Sequence, residues 1–161
     1  MTMSLQDWLA RYGESHQHPI NILIHKICVP TIVFTVFGLF WMLPVPDAIR
    51  SSISMGGVGY GNLATVVFLL GLGFYLRLSR PMAVGMALMC IANLALLGWL
   101  QLAGVDILQL SIVIFVLAWI GQFIGHAIEG KKPSFLQDLQ FLLIAPAWTL
   151  APLYRALHIR F

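Results

Sequence analysis

Histidines are concentrated in two places in this sequence of 161 residues. Three of the five, His16, His18 and His25, lie within the ten residues HQHPINILIH, immediately before a long apolar segment. A fourth, His126, lies near the end of a much later apolar segment. Imidazole is the commonest metal ligand in proteins, and three imidazoles suit iron, zinc, copper or nickel. The pattern indicates a metal site if the fold brings these segments together.

The composition is that of a membrane protein. Charged residues make up 9% of the chain, against about 25% in a soluble domain, and 60% of the residues are hydrophobic. A soluble fold of this size could not cover that much apolar surface. The net charge of +3 comes from basic residues scattered singly or in pairs, unlike the clustered basic face of a nucleic-acid-binding protein. We therefore expect a lipid bilayer, and no nucleic acid, as a partner.

The apolar segments predict an all-α integral membrane protein, with residues 1–161 in a single domain. A spanning helix needs about 20 mainly apolar residues. Four spanning helices are predicted, over residues 27–43, 63–78, 82–102 and 107–128.

Two further segments flank these four spans. The last apolar segment, residues 139–157, contains two prolines, which kink or interrupt a helix. Two alternatives therefore remain for this segment. It either spans the membrane, or it enters the membrane and returns to the same side. At the other end of the chain, apolar residues at helical spacing predict a short amphipathic helix; they are Leu5, Trp8, Leu9 and Tyr12.

Basic residues predict the orientation, because Lys and Arg are enriched on the cytosolic side of a membrane protein. With the N-terminus in the cytosol, only Arg50 falls outside among the loops between the four spans. The cytosolic side then receives Arg11, Lys26, Arg77, Arg80, Lys131 and Lys132. Four crossings return the chain to the cytosol, so His126 is predicted at the same membrane level as the N-terminal histidines.

Polar residues near these histidines share helix faces with them. Pro19 suits the first turn of a helix, and in that helix Asn21 and His25 are four residues apart on one face. In the fourth span, Gln122, His126 and Glu129 form a polar stripe, and ionisable groups at membrane depth usually face an interior. Asn21, Gln122 and Glu129 are candidates for orienting the imidazoles, and Glu129 is also a candidate ligand. His18, which directly precedes Pro19, is the weakest candidate for such a supporting role or for a ligand.

Two motifs carry a family resemblance. The first is HxxPxNxxxH at residues 16–25, and the second is WIGQFIGHxxExxxP at residues 119–133. Together they resemble the fungal and bacterial 2-hydroxy-fatty-acid dioxygenases, and the similarity extends from the N-terminal helix to the segment PAWTLAPLYRAL. The resemblance implies an Fe(II)-dependent dioxygenase that uses O2 to remove C1 from a 2-hydroxy fatty acid, leaving an acid one carbon shorter.

The resemblance also implies roles for residues. The family's histidines fall on His16, His25 and His126, which would bind the metal. Glu129 follows His126 by three residues where many relatives have four, which argues against its being a ligand. The acyl chain would lie between helices, and its carboxylate would be attracted at the cytosolic face by Lys26, Arg77, Arg80 and Lys131. The membrane would be the cytoplasmic membrane of a bacterium, or the endoplasmic reticulum of a eukaryote.

Two other classes of protein are compatible with the residues. One is a haem-binding or electron-transfer membrane protein with His25 and His126 as axial ligands, which a Soret band would reveal. The other is a non-catalytic membrane scaffold or small transporter, in which the histidines are interfacial residues. Replacing those histidines would then leave every phenotype intact.

Overall fold

The computed structural model describes residues 3–130 and 141–161, and these residues are almost entirely helical. Apart from connecting turns and loops, the exception is a hairpin of two two-residue strands, β1 (Ser54–Met55) and β2 (Val58–Gly59). The described helices are α1 (Leu5–Gly13), α2 (Pro19–Met42), α3 (Asp47–Ser52), α4 (Leu63–Leu78), α5 (Arg80–Leu102), α6 (Ile107–Glu129) and α7 (Ile144–Ala156). This confirms the predicted helical class.

Helices α2, α4, α5 and α6 run alternately up and down in one bundle. Its near end holds the start of α2 and the end of α6, where Asn21 contacts Glu129. Its far end holds the opposite termini, where the Trp41 indole N–H donates to the Gln101 side chain at 2.8 Å. The histidine-containing segments both belong to the near end, which fits the level predicted from the topology.

Three of the described helices are long and apolar enough to cross a membrane. They are α2, α5 and α6, with 24, 23 and 23 residues. At 1.5 Å per residue, each is about 35 Å long, which exceeds a hydrocarbon core of about 30 Å. Helix α4 has the predicted bounds, but its 16 residues extend only about 24 Å. The helices therefore indicate a membrane protein, and a fourth span remains a prediction.

The first predicted span is part of a longer helix. Helix α2 begins at Pro19, and not at residue 27, because proline fits the first turn and His18 caps it. The His18 Nδ1 accepts the backbone N–H of Ile20 at 3.2 Å. His18 thus caps the helix, and its predicted supporting role at the metal stays a prediction. One unbroken helix connects the polar motif to the membrane-spanning segment.

Close packing of α2 on α6 depends on small residues. A Cβ added at Gly38 or Gly125 would overlap Ser111 or Asn21, respectively. A Cβ added at Gly121 would lie 2.8 Å from the Cys28 sulfur. These glycines let the two helices that carry the histidines approach each other closely.

Helices α1 and α7 pack together at the near end. The predicted amphipathic helix is confirmed: α1 buries Leu5, Leu9 and Tyr12. A capping box begins it, in which Ser4 and Asp7 exchange hydrogen bonds. The Ser4 hydroxyl, and secondarily the Ser4 backbone N–H, lower the pKa of the Asp7 carboxyl.

Both ends of α7 stay beside the turn between α4 and α5. The Tyr75 hydroxyl donates to the Leu143 carbonyl, and the Tyr154 hydroxyl donates to the Pro81 carbonyl at 2.9 Å. Thirteen residues of helix extend only about 20 Å. The described part of the predicted segment 139–157 therefore lies across the near end and does not run to the far end; residues 139 and 140 lie outside the described residues.

Candidate metal centre

Three histidines from different segments converge at the near end of the bundle. His16 comes from the loop between α1 and α2, His25 from α2 and His126 from α6. Their ring centroids are 4.2 Å apart for His16 and His25, 4.9 Å for His25 and His126, and 5.3 Å for His16 and His126. One nitrogen of each ring lies within 4.8 Å of the others, and all three residues are buried. The structure thus brings together the residues predicted to bind a metal, and their metal binding remains a prediction.

Backbone carbonyls fix the orientation of two of the rings. The His16 Nδ1 lies 2.8 Å from the Tyr12 carbonyl oxygen, and the His25 Nδ1 lies 3.0 Å from the Asn21 carbonyl oxygen. A carbonyl can only accept, so the hydrogen-bond network assigns the proton to Nδ1 in both rings. Each neutral ring then carries its lone pair on Nε2. A metal-binding imidazole is commonly oriented in this way, by a hydrogen bond from its other nitrogen.

Aromatic residues of α1 and α7 hold the His16 ring in place. Tyr12 stacks on it with centroids 4.2 Å apart and an interplanar angle of 14°. Trp148 lies against it at 5.3 Å and also contacts Tyr12. Neither role was predicted from the sequence. The four-residue spacing of Tyr12 and His16 was a usable signal, whereas Trp148 contributes through tertiary packing alone.

Glu129 connects the His16 loop to α6. Its carboxylate accepts the backbone N–H of Gln17 at 3.0 Å and that of His18 at 2.8 Å. It also accepts the Asn21 side-chain amide at 3.0 Å. Glu129 lies outside the three-histidine cluster, so its contacts are those of a residue that orients the loop.

The other two polar candidates are buried beside the cluster. Asn21 is fully buried, and its side-chain oxygen faces the α-carbon of Gly125. Gln122 is buried on α6, one turn before His126, and borders a small cavity together with Tyr12. Both predicted supporting residues therefore lie near the histidines.

A cavity of about 420 Å³ reaches His16 from the surface and is bordered by two cations. These are Lys26, which was predicted to attract a carboxylate, and Arg155 of α7, which was not. Arg77 borders a separate groove beside Trp8, and its predicted attraction of the substrate carboxylate stays a prediction. Arg80 is exposed at the first residue of α5, and the predicted Lys131 lies outside the described residues.

The ring contacts do not suit haem. Two axial imidazoles lie on opposite faces of a flat macrocycle, with the iron between them. The rings of His25 and His126 are instead in edge-to-face contact at 4.9 Å, and His16 contacts both. A single ion fits the donors of this cluster, whereas a porphyrin would require the rings to separate.

The fold and this cluster define a class: helical proteins with membrane-length helices and a buried three-histidine centre. Residues 2–157 match the family described as 2-hydroxy-palmitic acid dioxygenase Mpo1-like, so the chain belongs to the Mpo1-like family. This confirms the family resemblance found in the two motifs.

The degree of similarity is known for one relative. The chain is 30% identical over 148 residues to the 2-hydroxy-palmitic acid dioxygenase MPO1 of Saccharomyces cerevisiae. The alignment covers 89% of this chain and 76% of the yeast protein. No solved structure matches the chain.

Proposed function

We propose that this protein is an Fe(II)-dependent membrane dioxygenase acting in fatty acid α-oxidation. It breaks the C1–C2 bond of a 2-hydroxy fatty acid, R–CH(OH)–COOH, and one O2 accepts the four electrons, so that the products are the acid one carbon shorter, R–COOH, with CO2 and water. The observation that carries this proposal is the convergence of His16, His25 and His126 in a chain of a dioxygenase family. The name of the yeast relative supports a 2-hydroxy fatty acid as the substrate.

The donor set fits a non-haem iron ion. Three neutral imidazoles leave other coordination positions open, and imidazole nitrogen is a suitable ligand for iron. When bound, iron(II) supplies the redox chemistry with O2 that no side chain of the cluster can provide. The proposal of iron over zinc, copper or nickel rests on that chemistry and on the family, because imidazoles alone do not select it.

The surrounding residues position the ligands and the substrate. The carbonyls of Tyr12 and Asn21 hold the Nδ1 protons of His16 and His25, so that the Nε2 lone pairs are the ones available to a metal. Lys26 and Arg155 border the cavity that reaches His16, and their positive charge attracts the substrate carboxylate. The head of the substrate would therefore lie on this side of the histidines.

Basic residues support a cytosolic location of the near end. The position of α7 adds Arg155 and Arg160 to the basic residues there, because the carbonyl of the adjacent Phe161 accepts the Gln6 side chain. Far fewer basic residues lie at the other end, where Arg50 is in α3. We propose a single membrane domain with four spans, in a bacterial cytoplasmic membrane or, in a eukaryote, the endoplasmic reticulum.

Product analysis of purified protein tests the proposal. Protein loaded with Fe(II) without oxygen is mixed with a 2-hydroxy fatty acid and air, and the acids are identified by mass spectrometry. We expect an acid one carbon shorter from the wild type and none from His126→Ala. His158→Asn is the matched control, because His158 is exposed in the tail and Asn tolerates its positive φ of 56°. Folded, iron-loaded wild type that forms no shortened acid would refute the proposal.

A further inference from the structure

Two neighbouring cavities lie inside the bundle, and the nearer one is bordered by residues next to the histidine cluster. The smaller, about 40 Å³, is bordered by Tyr12 and Gln122 beside the cluster. The larger, about 100 Å³, extends to Phe37 and Phe68 between α2, α4 and α5. The residues that border both cavities are Ile32, Val33, Leu142 and Pro146. We call the two together the apolar channel.

The walls of the apolar channel are hydrocarbon along most of its length. The larger cavity is bordered mainly by aliphatic and phenyl groups. The Tyr75 hydroxyl also lies along this wall, but it donates to the Leu143 carbonyl and needs no further partner. A water-filled channel would need polar groups to bind the water. These walls favour an apolar occupant.

The stacked pair Tyr12 and His16 lies between the apolar channel and the cavity bordered by cations, because Tyr12 borders the first and His16 the second. Lys26, Arg155 and His16 border the polar cavity, whereas Tyr12 and Gln122 border the start of the apolar channel. A molecule with an anionic head and a long apolar tail matches this order of surfaces. Its carbons next to the head would then lie at the histidines.

We propose that the apolar channel binds the acyl chain of the substrate and that the space beside Gly71 determines how long a chain is accepted. This inference rests on the proposed function for the identity of the substrate. His25 and Phe37 are twelve residues apart on α2, which is about 18 Å at 1.5 Å per residue. With carbon–carbon bonds of about 1.5 Å and angles of about 111°, an extended chain advances about 1.25 Å per carbon, so 18 Å holds about 14 carbons. A chain of that length needs more volume than the two cavities provide. The flexible Met86 side chain on the wall can change its rotamer and enlarge the channel.

Gly71 offers a clean way to block the channel. It borders the larger cavity, one helical turn farther from the near end than Tyr75. A Cβ added there meets no atom within 4 Å, so a leucine would project into free space and not into the fold. Leucine also favours the helix more than glycine does. Gly71→Leu should therefore fill the channel without unfolding the protein.

Gly73 provides the matched control on the same helix. A Cβ added at Gly73 also meets no atom within 4 Å. It borders the separate groove with Trp8 and Arg77, and not the apolar channel. Gly73→Leu therefore changes helix propensity and surface apolarity in the same way while leaving the channel open.

Photo-crosslinking tests occupancy without requiring turnover. The probe is a 2-hydroxy acid of 16 carbons with a diazirine at its terminal carbon, added to wild type, Gly71→Leu and Gly73→Leu. We expect label near Phe37 and Phe68 in the wild type, at least a tenfold loss in Gly71→Leu, and wild-type labelling in Gly73→Leu. Each buried methylene contributes about fourfold to affinity, so losing two or three explains such a decrease. Label outside the channel, or undiminished label in Gly71→Leu, would overturn the inference.

Chain-length profiles of turnover separate this inference from the proposed function. We expect Gly71→Leu to lower the ratio of turnover of a 2-hydroxy acid of 16 carbons to that of one of eight carbons at least tenfold relative to the wild type. If Gly71→Leu turns over both acids as the wild type does, the channel is wrong and the dioxygenase stands. If no protein turns over either acid but the channel is labelled as expected, the channel stands and the dioxygenase fails.

Discussion

Glu129 is predicted to strengthen metal binding without touching the metal. Its carboxylate accepts hydrogen bonds from the Gln17 and His18 N–H groups and from Asn21. These contacts hold the backbone that directly follows His16. In Glu129→Ala the loop that follows His16 loses these contacts. Part of the free energy of metal binding must then be used to order that loop.

The size of this effect follows from the contacts. A hydrogen bond to a charged group contributes about 1.5–3 kcal/mol, but Glu129 is only half-buried, and water replaces part of what is lost. We therefore take about 2 kcal/mol for the three bonds together, which is about a 30-fold rise in the metal Kd. Residues that orient metal ligands typically contribute 10- to 100-fold. Glu129→Gln keeps an accepting oxygen but places an NH2 group among donors, so we expect a smaller loss.

Anaerobic competition against a coloured chelator measures this change. Metal is titrated into wild type, Glu129→Ala, Glu129→Gln and Asp47→Asn, the last of which removes a carboxylate at the far end of the bundle. We expect the metal Kd to rise in the order wild type, Gln, Ala, with Asp47→Asn at the wild-type value. A metal Kd for Glu129→Ala within twofold of the wild type would refute the idea that Glu129 holds the His16 loop.

Three other outcomes are expected. Gly125→Ala should abolish metal binding, because the new methyl overlaps the Asn21 amide oxygen and lies 3.4 Å from the His25 ring. Anaerobic metal titration measures the loss. The control is Gly73→Ala, at an open position, which should bind the metal as the wild type does. Tyr75→Phe should lower the free energy of unfolding by about 1–3 kcal/mol, because it leaves the Leu143 carbonyl without its donor; chemical denaturation in detergent measures the loss, and an unchanged midpoint would contradict it. Metal at 100 times its Kd should stabilise the fold by about 2.7 kcal/mol; thermal unfolding before and after chelation tests this, and equal melting temperatures would contradict it.

The sequence predicted what depends on apolar periodicity and short spacing. The bounds of α4 were predicted correctly because Asn62 and Ser79 mark its ends with polar caps. Asn21 and His25 were placed on one face of a helix by their four-residue spacing alone. The prediction that the start of α2 and the end of α6 lie at the same membrane level required only the topology, because an even number of crossings returns the chain to the same side.

Tertiary packing determined what the sequence could not predict. The two prolines left spanning and returning as alternatives for the last apolar segment, but nothing in the local sequence indicated that α7 would bring Trp148 and Arg155 to His16. The start of α2 was missed because polar residues between Pro19 and Lys26 lowered the hydropathy of a segment that is nevertheless helical. The prediction for Arg77 used its membrane level alone, whereas its position around the bundle, beside the groove with Trp8, depends on tertiary packing.

Iron content per chain tests the central claim most directly. Wild type, His126→Ala and His158→Asn are purified without oxygen after iron supplementation, and elemental analysis gives the metal bound to each. We predict about one iron per chain in the wild type and in His158→Asn, and loss of the iron in His126→Ala. Iron absent from the wild type, or retained in His126→Ala, would contradict the assignment of the three-histidine cluster as an iron centre.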